Sequence, residues 1–227
     1  MADLSEKDEA EILKWKEARI LQKVAQEDFL HKNGVVIFSC PDGHRFPDLY
    51  GKHEEECRCN DEKAPMIHML TDHGGALVLA ENSPVNRPTE QMVDMFLTLL
   101  ERIFPCLLWQ ILGKMRLTRR LAAWIARRAD IFALWRIRMA ILVKGCWDLS
   151  LYAHAPCGAA NAHGLGANEL LHAYMRGWRR CIYLFAGVRI RCFFHVCYAN
   201  GKQRTYLVKK NAAVRWLGQN THLPPIL

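Results

Sequence analysis

The chain reads as an α/β protein with an open, mainly parallel sheet, an antiparallel edge hairpin, helices on both faces and an N-terminal helical extension. Three observations lead there. Short β-branched and aromatic runs, Val35-Val36-Ile37-Phe38 and Leu149-Ser150-Leu151-Tyr152-Ala153, alternate with longer stretches of helical periodicity. Asn200-Gly201 sits between two further strand-like runs, Ile190–Tyr198 and Thr205–Val208, which is a strong hairpin signal. Half of the 227 residues are hydrophobic, enough for one sizeable core.

Taken in order, Leu4 to Lys32 has Ile12, Trp15, Ile20, Val24 and Phe29 at roughly helical spacing among charged residues, so residues 1–33 are expected to form a helical arm. Asn33-Gly34 stops it. Val35–Phe38 is then a buried parallel strand, ending in the loop Ser39-Cys40-Pro41-Asp42-Gly43. Residues 46–75 are polar and read as a long loop. Ala76-Leu77-Val78-Leu79-Ala80 is a second strand candidate. A helix is expected from Thr89 to Phe104, before Pro105, and helical periodicity resumes through Leu117, Leu121, Trp124, Ile125, Phe132, Trp135 and Met139. The third strand ends at His154, and Ala167–Arg180 is helical in pattern. Residues 34–227 thus form one α/β domain carrying a basic helical insertion around 92–135.

The charge is localised. Between Lys114 and Lys144 there are nine basic residues against one acidic, Asp130, which equals the whole formal +8 of the chain. Such a stretch suits nucleic acid or an anionic membrane surface. Its tryptophans and leucines fall at helical spacing, however, which reads as a core or subunit-interface face with the arginines solvated, and no nucleic-acid partner is expected. No apolar run reaches the roughly 18 uncharged residues of a membrane span. The acidic N-terminus, MADLSEKDEAEILK, lacks the basic start and apolar run of a secretion signal, so a cytoplasmic protein is expected.

Nine cysteines without an export signal point to metal binding or plain burial, not a disulfide framework. In open α/β sheets ligands collect at the carboxyl ends of strands. Cys40 and His154 both lie at such ends, and Cys157 follows His154 on a turn. Two thiolates and an imidazole suit tetrahedral zinc with an open fourth position. By spacing alone, a satisfied histidine beside a buried cysteine accounts for the same residues. Cys57-x-Cys59, with His53 and Glu54–Glu56, offers a poor chelate spacing and reads as a solvated acidic loop. Asp72-His73-Gly74-Gly75 reads as a turn, with a proton-shuttle role for His73 as the alternative.

Cys40-Pro41-Asp42 after one strand, followed by Tyr152-Ala153-His154-Ala155-Pro156-Cys157-Gly158-Ala159 after another, resembles the paired signatures of the β-class carbonic anhydrases, Cys-x-Asp-x-Arg and His-x-x-Cys-Gly. Gly75–Ser83 resembles that family's second strand, Arg136–Gly145 the helix before its third, and Phe193–Val208 its closing hairpin. About half the chain is covered. The resemblance implies one Zn2+ per chain on Cys40, His154 and Cys157, a catalytic pair Asp42 and Arg45, reversible hydration of CO2 to bicarbonate, and a homodimer or a multiple of dimers. Within the same superfamily, carbonyl sulfide and carbon disulfide are alternative substrates; a non-catalytic, zinc-stabilised interaction protein is the competing class. The chain departs from the family pattern in three places. Arginine comes one position late, so that His44 stands where the dyad arginine is expected. The gap between Cys40 and His154 is longer, and the stretch from Cys157 to the hairpin is shorter.

Overall fold

A computed structural model describes residues 4–29, 34–40, 51, 53, 67–86, 128–224 and 226. Its centre is a six-stranded sheet built from β1 (Leu21–Lys23), β2 (Val35–Ser39), β3 (Ile67–Thr71), β4 (Asp148–Ala155), β5 (Arg189–Cys197) and β6 (Gln203–Val208), in the order β1-β6-β5-β4-β2-β3. β3, β2, β4 and β5 are mutually parallel. β6 runs antiparallel to β5, and β1 antiparallel to β6. The α/β class, the mainly parallel sheet and the hairpin at Asn200-Gly201 are as the sequence predicts. Among the described residues the α-helices are α1 (Glu6–Glu17), α2 (Ala129–Lys144), the short α3 (Gly158–Ala162), α4 (Ala167–Leu184) and α5 (Lys210–Asn220).

Strand alternation divides the core between the two faces. Val36, Phe38, Leu149, Leu151 and Phe194 join the larger cluster with Ile12, Trp15, Ile137, Tyr174 and Leu217 of the helices. Val35, Ile37, Tyr152 and Phe193 turn the other way and pack with Phe29. Every residue of β2 is buried, as expected of a central parallel strand covered on both sides. The Tyr174 hydroxyl, at the heart of α4, donates to the Leu151 carbonyl at 2.6 Å and lies 3.1 Å from that of Phe193, tying the helix to β4 and β5.

Four sequence expectations need correction. The N-terminal helix stops at Glu17, not near Lys32. Ser5 caps its start, its side chain accepting from the Asp8 amide, and Glu6, Asp8 and Glu9 complement the helix dipole. After Arg19, at φ +56°, the chain turns into β1, because β6 offers an open edge at Tyr206–Val208 and tertiary pairing overrides helical propensity. α1 packs firmly within its own chain. Ile12 and Trp15 are fully buried, Trp15 meets Phe194 and Trp216 edge-on, and Asp8 accepts from the Ala167 amide at 2.8 Å.

The apolar run Ala76–Ala80 is not a strand: Gly75–Leu79 forms a buried 3-10 turn beneath α4. A short run buried all round has no periodicity to tell strand from helix. Gly177 allows the approach, since a Cβ there would lie 2.8 Å from the Ala76 carbonyl oxygen. The strand beside β2 is instead Ile67–Thr71, within the stretch read as loop; its Ile-His-Met-Leu-Thr sequence and half-buried pattern suit an outer strand. Finally, Phe132, Trp135 and Met139 of α2 are exposed in the chain, so they form no part of its core, which overturns the core half of the core-or-interface expectation; the face buried here is Ala133, Leu134, Ile137, Ala140 and Ile141. The expected helix at 89–104 and the rest of the basic insertion before Arg128 lie outside the described residues.

Candidate metal centre

β2 and β4 are adjacent and parallel, with Phe38 opposite Leu151, so their carboxyl ends emerge side by side. Cys40 directly follows β2. His154 is the penultimate residue of β4, paired across to His195 of β5, and Cys157 lies two residues beyond the strand, just before α3. Sheet topology thereby joins residues far apart in the chain. The two thiol sulfurs and an imidazole nitrogen lie within 4.8 Å of one another, and all three residues are buried. Among the described residues no other His, Cys, Asp or Glu joins this group.

The turn after β4 presents the histidine. The Ala155–Pro156 peptide is cis, and His154 Nδ1 lies 2.8 Å from the Pro156 carbonyl oxygen. A carbonyl only accepts, so Nδ1 carries the proton and Nε2 has its lone pair available as a donor to a metal. The Cys40 thiol is held well above its ordinary pKa, first by its contact with the Cys157 thiol and then by burial, with the His154 ring opposing both. A thiol so placed resists ionising unless a cation stabilises the thiolate, and metal binding is the process that does so. The group can hold a metal ion.

The 3-10 turn closes the site from below. Gly75, at φ +54°, approaches so closely that a Cβ would sit 2.6 Å from the Cys40 amide nitrogen and 2.9 Å from the Tyr152 carbonyl oxygen. The Asp72 amide donates to the Ser39 carbonyl at 3.1 Å, bringing the turn after β3 alongside the residue preceding Cys40. Asp72 is itself 3.7 Å from Arg136 of α2, whose guanidinium also donates to the Thr71 carbonyl at 3.3 Å. Burial raises the Asp72 pKa, opposed by the His73 amide and Arg136. His73 is exposed in this turn.

No family model, curated protein or solved structure matches the chain. The site therefore rests on its own geometry.

That geometry unites Cys40, His154 and Cys157. Asp42, Arg45 and His44 lie outside the described residues, as do Cys57 and Cys59. His53, read as part of a solvated acidic loop, is instead fully buried: its Nε2 is 2.8 Å from the Tyr152 hydroxyl, and its ring meets Phe29 and Phe193 edge-on. Gly75, Asp72 and Arg136 are the neighbours that the sequence reading did not assign to the site. The pair Gly74-Gly75, both at positive φ, was the available signal for the first. Arg136 is 65 positions from Thr71, and no local pattern announces that contact. No helix among the described residues is long and apolar enough to cross a membrane.

Proposed function

We propose that this chain is a zinc-dependent carbonic anhydrase of the β-class kind, catalysing reversible hydration of CO2 to bicarbonate. The observation that carries the reading is the buried Cys40–His154–Cys157 group at the carboxyl ends of two adjacent parallel strands. Two thiolates and an imidazole are the donor set zinc prefers, and three protein ligands leave a fourth position for a reacting oxygen. Zinc, when bound, supplies a Lewis acid that lowers the pKa of water from ~16 towards ~7.

The protein's own part is orientation. The Pro156 carbonyl fixes the His154 ring and its tautomer. Asp42, two residues after Cys40, is placed by the resemblance to accept a hydrogen bond from the attacking water and to aim its lone pair at the carbon of CO2. Arg45 is assigned to keep Asp42 ionised through charge-assisted hydrogen bonds. The proton released leaves to solvent. The same arrangement would serve hydrolysis of carbonyl sulfide, which makes that the second substrate to assay. A two-fold dimer is the assembly the resemblance implies.

Stopped-flow CO2 hydration on zinc-loaded protein, with metal content measured on the same sample, tests the reading. Hydration above the buffer rate with about one zinc per chain is expected from the three-ligand site. Zinc without hydration of CO2 or hydrolysis of carbonyl sulfide would favour a metal-stabilised interaction protein instead.

A further inference from the structure

α4 carries arginines on its outer face. Arg176, Arg179, Arg180, Tyr183 and Leu184 follow one another at helical spacing, opposite the buried Tyr174, Trp178 and Cys181. Together with Glu81, just past the 3-10 turn, they line an open groove of about 550 Å³. That size suits a small molecule, within the ~300–1,000 Å³ of ordinary ligand pockets.

The three arginines are not equivalent. Arg180 is fixed: its Nη1 donates to the buried Asp130 carboxylate at 2.5 Å and to the Leu79 carbonyl at 3.2 Å. Its charge is matched by that carboxylate, while its Nη2 and Nε make no hydrogen bond to a described residue. Arg176 and Arg179 have no carboxylate in ion-pair range among the described residues, and Glu81 pairs with none of the three. Arg176 precedes Arg179 and Arg180 by one helical turn, the spacing at which like charges repel. Two uncompensated guanidiniums thus crowd one stretch of groove beside a third that is held in place.

We infer that this groove binds a small phosphate ester, its phosphoryl group held by Arg176, Arg179 and the outer nitrogens of Arg180. Charge selects the ligand. A phosphate monoester carries about −1.5 to −2 at neutral pH, which matches the two uncompensated cations, whereas a single carboxylate would leave one unmatched. The guanidinium fork also suits phosphoryl oxygens as bidentate partners. An ionised Glu81 only accepts hydrogen bonds, so it repels a second phosphate and serves hydroxyl groups on the body of the ester. Tyr183, 86% exposed, offers that body a ring face, and Leu184 an apolar contact. Those features describe a nucleoside or sugar monophosphate. A nucleic-acid strand needs cations continuing along a track, and here Ile182 and Leu184, each 47% exposed, interrupt the surface. The inference is independent of the reaction proposed for the metal centre.

Isothermal titration calorimetry of the full chain tests it, with adenosine monophosphate, ribose phosphate, inorganic phosphate and adenosine as probes. At least one ester should bind more tightly than inorganic phosphate, and adenosine should not bind. A lead for adenosine monophosphate makes the ligand a nucleotide with its base on Tyr183; equal binding of the two esters makes it a sugar phosphate. Arg176→Gln and Arg179→Gln should each weaken binding by about tenfold or more, since each removes a charge-assisted contact. Neither should lower the melting temperature of the ligand-free protein, because neither arginine holds another described residue. Absence of binding at millimolar ester overturns the inference, as does adenosine binding as tightly as its monophosphate. Inorganic phosphate binding as tightly as both esters also overturns it, leaving an adventitious ion only. Binding unchanged in either Gln variant does so too, and would place the anion elsewhere, the metal centre included. A single-stranded oligonucleotide binding more tightly than both esters would make the groove part of a nucleic-acid surface instead.

Discussion

Gly75→Ala is the sharpest perturbation of the metal centre that leaves every ligand in place. At φ +54° an alanine costs about 1–2 kcal/mol in backbone strain. Its methyl would also sit 2.6 Å from the Cys40 nitrogen, 2.9 Å from the Tyr152 oxygen and 3.1 Å from the Ser39 carbonyl carbon. All three are backbone atoms, held by the pairing of β2 and β4, and none can swing aside as a side chain would. Overpacking of this kind typically adds about 1–3 kcal/mol. The expected loss is therefore about 2–5 kcal/mol, a large share of the stability of an ordinary domain. Because β2 and β4 carry Cys40 and His154, forcing them apart should also weaken metal binding. Gly145→Ala is the control: it sits at φ +66° with nothing within 4 Å of its Cβ, so it isolates the backbone cost. Urea unfolding of both variants, with zinc content by elemental analysis, separates the two contributions. If Gly75→Ala unfolds at the same midpoint as Gly145→Ala and takes up as much metal, the close approach does not position the site.

Asp42→Asn should lower CO2 hydration by about 10²–10⁴ with zinc content nearly unchanged, since asparagine keeps the shape but not the ionised acceptor; Arg45→Ala should cost less, and stopped-flow rates check both. Tyr174→Phe removes the hydroxyl that serves the Leu151 and Phe193 carbonyls in a fully buried place, and should cost about 1–3 kcal/mol by urea unfolding. His68 titrates below its ordinary value of 6.5 because burial, Lys144 and Arg136 oppose its charge. Above pH 6.5 it is neutral folded or unfolded; as pH falls below that, the unfolded chain takes up the proton first, so stability should decline, and His68→Gln should flatten the decline in urea midpoints between pH 7 and 5. Light scattering at micromolar concentration should give a dimer mass or a multiple of it.

What could be read beforehand followed from chemistry that is local in the chain. Val35–Phe38 is a continuous apolar run, and Leu149–Ala153 one broken only by Ser150, because central parallel strands are covered on both faces, and Asn200-Gly201 marks its hairpin through the backbone angles it favours. Cys40 and His154 were recognisable because each directly ends such a run. β3 was hidden because a half-buried outer strand tolerates His68 and Thr71. β1 was hidden because only the distant β6 defines it, and Gly75–Leu79 because complete burial erases the alternation that separates strand from helix. The α5 helix at Lys210–Asn220 was not read at all: its two buried residues, Ala213 and Leu217, mark one narrow stripe among polar neighbours.

The separation between the ligands has a consequence for how such a centre withstands change. Cys40 and His154 stand 114 positions apart, yet each is anchored at the end of a strand whose neighbour is the other's. The entropy of closing so long an excursion grows only logarithmically, so doubling its length would cost about 0.6 kcal/mol. The chain that leaves β2 and returns to β4 can therefore lengthen or shorten with little effect on the ligands, provided β3 and α2 keep their seats beside the sheet. Strand pairing, not chain proximity, sets the distance between the sulfur of Cys40 and the imidazole of His154. A long excursion between two metal-binding motifs is thus compatible with an undisturbed centre, and new sequence can accumulate there while the ligand geometry stays as it was.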